Sequence, residues 1–190
     1  MKICELFKDN HTVFSFEIFP PKKDGSIETV YNTLDELTDL KPDFISVTYG
    51  GTQPGCSTRE IVSIIKEKYH TESIAHLTCV NSTKAEIDCV IEEFKTYGVE
   101  NVLALRGDIN PDIEPKKEFL HACDLIAYMK ERSGLSFSGA CYPEGHPEAP
   151  SFDEDIANLK RKVDAGASHL MSQLFFDNDL FYRKKPAPQA

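Results

Sequence analysis

The sequence lacks any apolar run long enough to cross a membrane. A membrane-spanning helix needs about 20 consecutive apolar residues, and no segment of this chain approaches that length. The opening residues, Met1 to Glu5, also lack the apolar core and the cleavage site of a signal peptide. The 190 residues, 41% of them apolar and 27% charged, have the composition of a soluble globular protein. We therefore expect a cytoplasmic protein that needs no more than one domain.

The sequence also lacks closely spaced cysteine pairs. Its six cysteines include no C-x-x-C motif, whereas the ligands of a structural zinc usually come in such pairs. An even number of cysteines could form disulfides, but that interpretation needs a secretory context. We expect reduced thiols, several of them filling core positions, and no metal site. The cysteines are Cys4, Cys56, Cys79, Cys89, Cys123 and Cys141.

Basic residues are scarce relative to acidic ones. The formal net charge is −10, and a protein that neutralises nucleic-acid phosphates needs a basic surface. Basic residues are dense only at positions 160–162 and 183–185. Such clusters suit a small anionic ligand, so we expect no nucleic-acid partner and no membrane partner.

Short β-rich runs alternate with longer helical patterns along the chain. Strand, helix, strand repeated at roughly 25 to 35 residues is typical of βαβ units and a parallel sheet. The candidate strands cover residues 13–19, 44–49, 74–78, 101–105, 136–141 and 169–175. The candidate helices cover residues 27–40, 58–69, 83–97, 118–133 and 152–165.

Two architectures fit this order, a doubly wound α/β sheet and a TIM (β/α)8 barrel. The G-x-G-x-x-G motif that would favour a dinucleotide-binding sheet is absent. Polar residues follow nearly every strand instead, as in barrels, whose chemistry lies at the C-terminal strand ends. Only six strands are visible, so we predict an incomplete barrel of about six βα units over residues 1–183, with an unstructured tail at 184–190. A naturally short α/β sheet is the alternative.

Seven segments then resemble one family in order. They are SFEIFPP at 15–21, SVTYG at 46–50, HLTC at 76–79, LALRGD at 103–108, YPEGHPEA at 142–149, NLKRKVDAGA at 158–167 and QLFFD at 173–177. Together they resemble the flavin-dependent methylenetetrahydrofolate reductases. The resemblance covers nearly the whole chain to about Arg183.

The resemblance implies a TIM barrel that binds FAD. It also implies reduction of 5,10-methylenetetrahydrofolate to 5-methyltetrahydrofolate by hydride transfer via FAD, in one-carbon and methionine metabolism. The electron donor would be a nicotinamide or a redox protein, and a homo-oligomer is possible. The implied FAD contacts are Tyr49, Gly51, His76, Arg106, Gly107, Asp108, Ala122, Tyr142, His146, Ala149, Asp155, Asn158, Arg161 and Lys162. The implied contacts to folate or nicotinamide are Thr48, Asp108 and Gln173.

Glu17 is the candidate general acid. It ends the first strand between Phe16 and Phe19, and burial among apolar groups would raise the pKa of its carboxyl. A carboxyl that keeps its proton near neutrality can protonate the folate and help open its methylene bridge. The alternative is a structural carboxylate paired with a nearby basic residue.

Asp108 is the second candidate catalytic residue. By resemblance it lies near both the flavin ring and the pterin, where its charge would lower the flavin potential and its oxygens could bind pterin nitrogens. The preceding Gly107 would let the backbone approach the ring. The alternative is an ordinary β-turn after a strand.

The fifth helix carries a polar stripe. Asp155, Asn158 and Lys162 are spaced at i, i+3 and i+7, with Arg161 beside them, so one face could hold a ribose and a diphosphate. Without the resemblance, this stripe would be interpreted as a solvated helix face.

The chain departs from the family pattern at three places. The loop at 50–59 reads GGTQPGCSTR where the family has G-A-G-G-S before an arginine, and His121 replaces a common tyrosine before Ala122. The last two barrel strands are not visible, so two sheet edges would be exposed, and we expect weak FAD binding and poor turnover from this chain alone. Two other functions stay open: another flavin- or pterin-binding barrel, and a truncated, impaired chain that acts only as a binding or interaction module.

Overall fold

Six parallel β-strands form one sheet in which the order in space follows the order along the chain. The computed structural model describes residues 1–8, 12–21, 25–51, 56–109, 111–112 and 114–183. A doubly wound sheet reverses its strand order at a switch point, and this sheet does not. The strands curl into half a barrel, as predicted. They are β1 Ser15–Ile18, β2 Phe44–Val47, β3 Glu72–Thr78, β4 Asn101–Leu105, β5 Ser136–Cys141 and β6 Ala167–Ser172.

Helices follow the strands on the convex side of the sheet. All five predicted helices are present, and two short elements were not predicted: a 3-10 helix at Ile3–Lys8 and a six-residue helix that ends the described chain. The helices are α1 Ile27–Thr38, α2 Thr58–Tyr69, α3 Lys84–Thr96, α4 Ala122–Lys130, α5 Phe152–Ala165 and α6 Asn178–Arg183. The predicted tail at 184–190 lies outside the described residues.

The largest differences from the predicted boundaries are at helix α4, which spans 122–130 rather than 118–133, and at strand β6, which spans 167–172 rather than 169–175. Helix α4 begins at Ala122 rather than at 118, because the Asp124 carboxylate accepts hydrogen bonds from the backbone amides of Leu120 and His121. Strand β6 begins at Ala167 rather than at 169, since Gly166 ends α5 and the chain enters the sheet at once. In both cases a local cap fixes the boundary, as is common at helix ends.

The two faces of the sheet have different contents. Successive side chains of a strand point to opposite faces, so one set from β1 to β5 packs against the helices and forms the main core. That core includes Ile45, Val47, Ala75, Leu77 and Val102. A smaller cluster of Phe44, Ile74 and Leu103 lies on the concave face, covered by Ile3 of the 3-10 helix. The concave face is therefore closed at the end opposite to the C-terminal strand ends.

Asn101 attaches the 3-10 helix to the sheet. Its buried Oδ1 accepts a hydrogen bond from the Ile3 amide at 2.9 Å, and its Nδ2 donates to the carbonyls of Met1 at 3.0 Å and Ser73 at 3.4 Å. Asn101→Ala should lower the free energy of unfolding by about 2–4 kcal/mol, because buried backbone groups would lose their partners. Urea unfolding followed by circular dichroism measures this loss. The exposed Asn81 is the matched control, and a similar loss in Asn81→Ala would contradict the anchoring role.

The two outer strands of the described sheet are less covered than the inner ones. Every residue of β2 is buried, whereas exposed residues recur along β1 and β6. Large apolar side chains next to these outer strands are exposed as well, namely Phe19 after β1 and Leu174 and Phe176 after β6.

Candidate active site

The predicted site residues gather at the end of the sheet where the strands finish. Because all strands are parallel and neighbours in sequence are neighbours in space, residues that follow the strands lie along one rim. Two groups of contacts connect them. One group joins the ends of β1, β2 and β3, and the other joins the ends of β4 and β5 to α5.

Glu17 and His76 meet in the first group. The Glu17 Oε2 lies 3.5 Å from the His76 Nε2. The His76 side chain is only 6% exposed, and burial lowers its pKa from 6.5 to about 4. The imidazole is therefore neutral near pH 7, and the contact is not an ion pair. Its Nε2 is buried and has no hydrogen-bond partner within the described chain, because the Glu17 contact lacks hydrogen-bond geometry.

The prediction that apolar neighbours bury Glu17 was wrong. The side chain is 47% exposed, because Phe16 and Ile18 point to the opposite face of β1 and pack against the helix-side core. The predicted direction of the shift is confirmed: partial burial raises the pKa of the Glu17 carboxyl, and a hydrogen bond from Ser46 opposes that rise. The side chain that opposes this rise in pKa, Ser46, lies on β2 rather than beside Glu17 in sequence.

A cavity of about 170 Å³ lies between the ends of β2 and β3 and the helices α2 and α3, on the helix side of the sheet. Tyr49, Gly51 and His76, three predicted FAD contacts, line it together with Arg59, whose buried Nε has no partner among the described residues. Gly51 has φ +77°, and a Cβ there would lie 1.9 Å from the Cys56 carbonyl oxygen. The backbone turn after β2 therefore requires glycine at that position. It is smaller than the roughly 300 Å³ of typical ligand pockets, so it can hold only part of a large ligand.

The second group is centred on Arg106. Its guanidinium donates to both oxygens of Glu148 at 2.6 and 2.7 Å, and these hydrogen bonds lower the pKa of the Glu148 carboxyl. This ion pair joins the end of β4 to the segment after β5. In that segment the rings of Tyr142 and His146 lie edge to face, 5.0 Å between centroids.

The backbone turns sharply next to Arg106. Gly107 has φ +87°, and a Cβ there would lie 3.0 Å from the Thr78 Cβ, so a side chain would strain the turn. The Arg106 carbonyl accepts from the Cys79 and Val80 amides, which fixes the turn against the end of β3. Asp108 follows it and is exposed.

The polar stripe of α5 divides in two. Asp155 is buried, so the solvated-face interpretation is wrong for this residue. The Lys162 Nζ reaches the sheet and donates to the Ala140 carbonyl at 2.6 Å. Arg161 lies on the outer side, where it donates to Glu154 at 2.8 Å and to Asn158. One cation therefore lies at the end of β5 and the other faces solvent.

The remaining predicted residues lie on the same rim. The Thr48 amide donates to the Ile18 carbonyl at 3.0 Å, and the Gln173 amide to the Cys141 carbonyl at 2.8 Å. The Gln173 Oε1 accepts from the Leu174 amide, so this side chain caps the end of β6. Ala122 is buried in the first turn of α4, and the Ala149 amide donates to the His146 carbonyl. No hydrogen bond or ion pair within the described residues joins Asp108 or Gln173 to Glu17.

Sequence reasoning missed Ser46, Arg59 and Glu148. Ser46 and Glu148 lie inside segments that resemble the family, so their position in those segments could have pointed to them. Arg59 directly follows the altered loop, at the arginine that the family pattern places there. Residues 52–55 of that loop lie outside the described residues. All six cysteines are free thiols, and burial raises the pKa of the Cys79 thiol to about 12.

Two kinds of feature are absent from the described ranges. No group of three or more His, Cys, Asp or Glu side chains there could hold a metal ion. No helix in that part of the chain is long and apolar enough to span a bilayer.

Comparison with known proteins identifies the family. The sequence model of methylenetetrahydrofolate reductase matches residues 2–186. The chain belongs to the methylenetetrahydrofolate reductase family. It is 41% identical over 170 residues to the 5,10-methylenetetrahydrofolate reductase of Salmonella typhimurium, covering 89% of this chain and 57% of that protein. It is 42% identical over 186 residues to the Buchnera aphidicola reductase, covering 96% of this chain and 60% of the relative.

The sequence resemblance is thereby confirmed, and the chain spans just over half the length of these curated relatives. Among solved structures, an uncharacterized Clostridium thermocellum protein that binds two copies of 5-methyl-5,6,7,8-tetrahydrofolic acid matches with a TM-score of 0.60 at 12% identity. The match covers 95% of this chain and 60% of that one. At that identity it supports the fold alone.

Proposed function

We propose that this chain takes part in the reduction of 5,10-methylenetetrahydrofolate to 5-methyltetrahydrofolate by hydride transfer via FAD, in one-carbon metabolism leading to methionine. The proposal rests on the position and the raised pKa of the Glu17 carboxyl. This carboxyl lies at the strand-end rim with a raised pKa, 3.5 Å from the neutral His76, in a chain of this family. The reductant that supplies the electrons is a nicotinamide or a redox protein.

The residues at the rim fit a flavin cofactor. The buried His76 Nε2 lies beside Glu17 and lacks a hydrogen-bond partner in the described part of the chain. Buried polar groups without partners are costly, so a ligand with hydrogen-bonding atoms at this rim would stabilise it. FAD, when bound, supplies the hydride. Lys162 at the end of β5 would hold its diphosphate, because ammonium groups bind phosphate oxygens strongly, whereas Arg161 faces solvent and pairs with Glu154.

The chain's own residues would supply the proton. Opening the folate ring breaks one bond from the methylene carbon to nitrogen, and Glu17 gives its proton to the nitrogen that leaves. The methylene carbon then accepts the hydride and becomes a methyl group, so one proton and one hydride are added in all. Because Glu17 is half-exposed, it can recover its proton from solvent. Asp108 and the Gln173 amide would bind the pterin edge, and Thr48 the nicotinamide.

Lys162 provides a direct test of the cofactor site. Lys162→Met should weaken FAD binding by about tenfold and reduce its salt dependence, because one charge-assisted contact to phosphate would be lost. Titration of the chain with FAD, followed by quenching of flavin fluorescence, measures both effects.

Lys160→Met is the matched control, since Lys160 is exposed two residues away and pairs with Asp164. Equal loss of FAD affinity in both variants would contradict the role of Lys162. Absence of any FAD binding up to about 1 mM would contradict the cofactor proposal for this chain. Where FAD binds, methylenetetrahydrofolate should reoxidise the anaerobically reduced flavin and yield 5-methyltetrahydrofolate, and failure to do so would contradict the proposed reaction.

A further inference from the structure

Ser46 lies directly opposite Glu17 on the concave face of the sheet. The two residues are register partners in the β1–β2 pair, so their side chains point to the same face. The Ser46 side chain is almost completely buried, at 1% exposure. Its hydroxyl is 3.5 Å from the Phe16 carbonyl oxygen, which is the outer limit of a hydrogen bond. The Glu17 carboxyl stands beside this hydroxyl as its register partner, and a charged acceptor would form a stronger bond with the hydroxyl than the Phe16 carbonyl does.

The surroundings give Glu17 few other polar partners. From β3 it faces the neutral His76, which lacks hydrogen-bond geometry toward it. The groove of about 390 Å³ between β1 and α1 is lined by Phe16 and Ile18, so it lies on the opposite face of the strand from the carboxyl. Burial and the Ser46 hydroxyl are the two influences on the pKa of its carboxyl. The buried Ser46 hydroxyl is therefore well placed to donate to this carboxyl on an outer strand.

We propose that Ser46 is a positioning residue for Glu17, whose buried hydroxyl holds the carboxyl at the rim beside His76. This inference rests on the acid role of Glu17 proposed above. The hydrogen bond restricts the rotamers of a half-exposed side chain, and it favours the ionised form that burial disfavours. Ser46 thus sets both the direction of the carboxyl and how readily it releases its proton.

The test measures the Glu17 titration directly. In Ser46→Ala, the pKa of the Glu17 carboxyl should rise above its value in the unsubstituted chain, because burial would then act unopposed. Carbon-13 NMR of the labelled glutamate carboxyls, assigned with Glu17→Gln, measures it in the chain without FAD or folate. Ser46→Thr keeps the hydroxyl and should restore the lower pKa.

Ser138→Ala is the matched control. Ser138 is a buried serine on the same face in β5, and it donates to the Val102 carbonyl at 3.3 Å, as Ser46 does to Phe16. Its substitution should leave the Glu17 titration unchanged. A Glu17 pKa that is unchanged in Ser46→Ala, or raised equally in Ser138→Ala, would overturn the proposal whether or not FAD binds.

The flavin-loaded protein gives a second readout. Loss of positioning should slow the folate half-reaction of Ser46→Ala by about tenfold without slowing flavin reduction. The rate of the folate half-reaction of Ser46→Ala should fall at a higher pH than in the unsubstituted chain, since the Glu17 carboxyl stays protonated to a higher pH. An unchanged pH dependence would contradict the positioning role. If the NMR shift appears but no folate half-reaction is found even in the unsubstituted chain, the proposed function fails while the Ser46–Glu17 contact stands.

Discussion

Glu17→Gln is expected to slow reoxidation of the reduced flavin by methylenetetrahydrofolate by about 10²- to 10⁴-fold, the usual contribution of a general acid. Reduction of the flavin by its electron donor should change by less than about threefold, because the amide keeps the size of the carboxyl and no proton from Glu17 enters that step. The loss should therefore separate the two half-reactions. Few other roles for a rim carboxyl would produce this separation.

Anaerobic stopped-flow absorbance of the bound flavin measures each half-reaction alone. Glu28→Gln is a suitable control, since Glu28 is an exposed residue in the first turn of α1, and it should leave both rates unchanged. Equal slowing of both half-reactions in Glu17→Gln would remove Glu17 from the acid role. It would indicate instead that the carboxyl supports flavin binding.

Acidification is expected to destabilise the fold through His76. Burial lowers the pKa of His76 to about 4 from 6.5, so between these values the unfolded chain binds a proton that the native protein does not. The stability contributed by the neutral imidazole is complete above pH 6.5 and is lost as the pH falls toward 4. The free energy of unfolding should fall by about 3 kcal/mol across this window, at about 1.4 kcal/mol for each pKa unit. His169, whose pKa burial also lowers, adds to the slope with the same sign.

Urea unfolding at a series of pH values measures the slope. His76→Asn removes the titrating group and should leave a clearly shallower dependence between pH 4 and 6.5, whatever its stability at neutral pH. His70→Asn is the matched control, because His70 is exposed and ends α2 with φ +54°, a conformation that asparagine tolerates. An equal slope in His76→Asn and the unsubstituted chain would mean that His76 accepts a proton in the native protein.

Much of the architecture could be predicted because its signals are local. The α3 capping box, in which Thr83 and Glu86 bond each other's backbone amides, is contained in four consecutive residues. The six strands are short runs bounded by turns, and their order along the chain became their order in space. The motifs of the family are contiguous as well. Helix α6 was not predicted, because a helix of six residues is too short to show a periodic pattern of apolar residues. Its only local signal is Asp177, whose side chain accepts a hydrogen bond from the Asp179 amide at the start of the helix.

The properties of the site residues could not be predicted in the same way. The apolar neighbours of Glu17 in sequence do not bury it, since strand alternation turns them to the other face. The spacing of Asp155 in the sequence is compatible with a solvated helix face, but in the structure neighbouring elements bury it. Glu148 pairs with Arg106 across 42 positions, a contact to which no local pattern points.

The family, the alternation of strand and helix and the residues at the strand ends can all be predicted from the amino-acid sequence. These follow from nearest-neighbour periodicity, from caps and from contiguous motifs. The folded structure is needed to show that His76 is buried and neutral, that Glu17 remains half-exposed, and that Ser46 stands opposite it. This is because desolvation and hydrogen bonding depend on which side chains of other strands surround a group. That neighbourhood exists only once the sheet has curled.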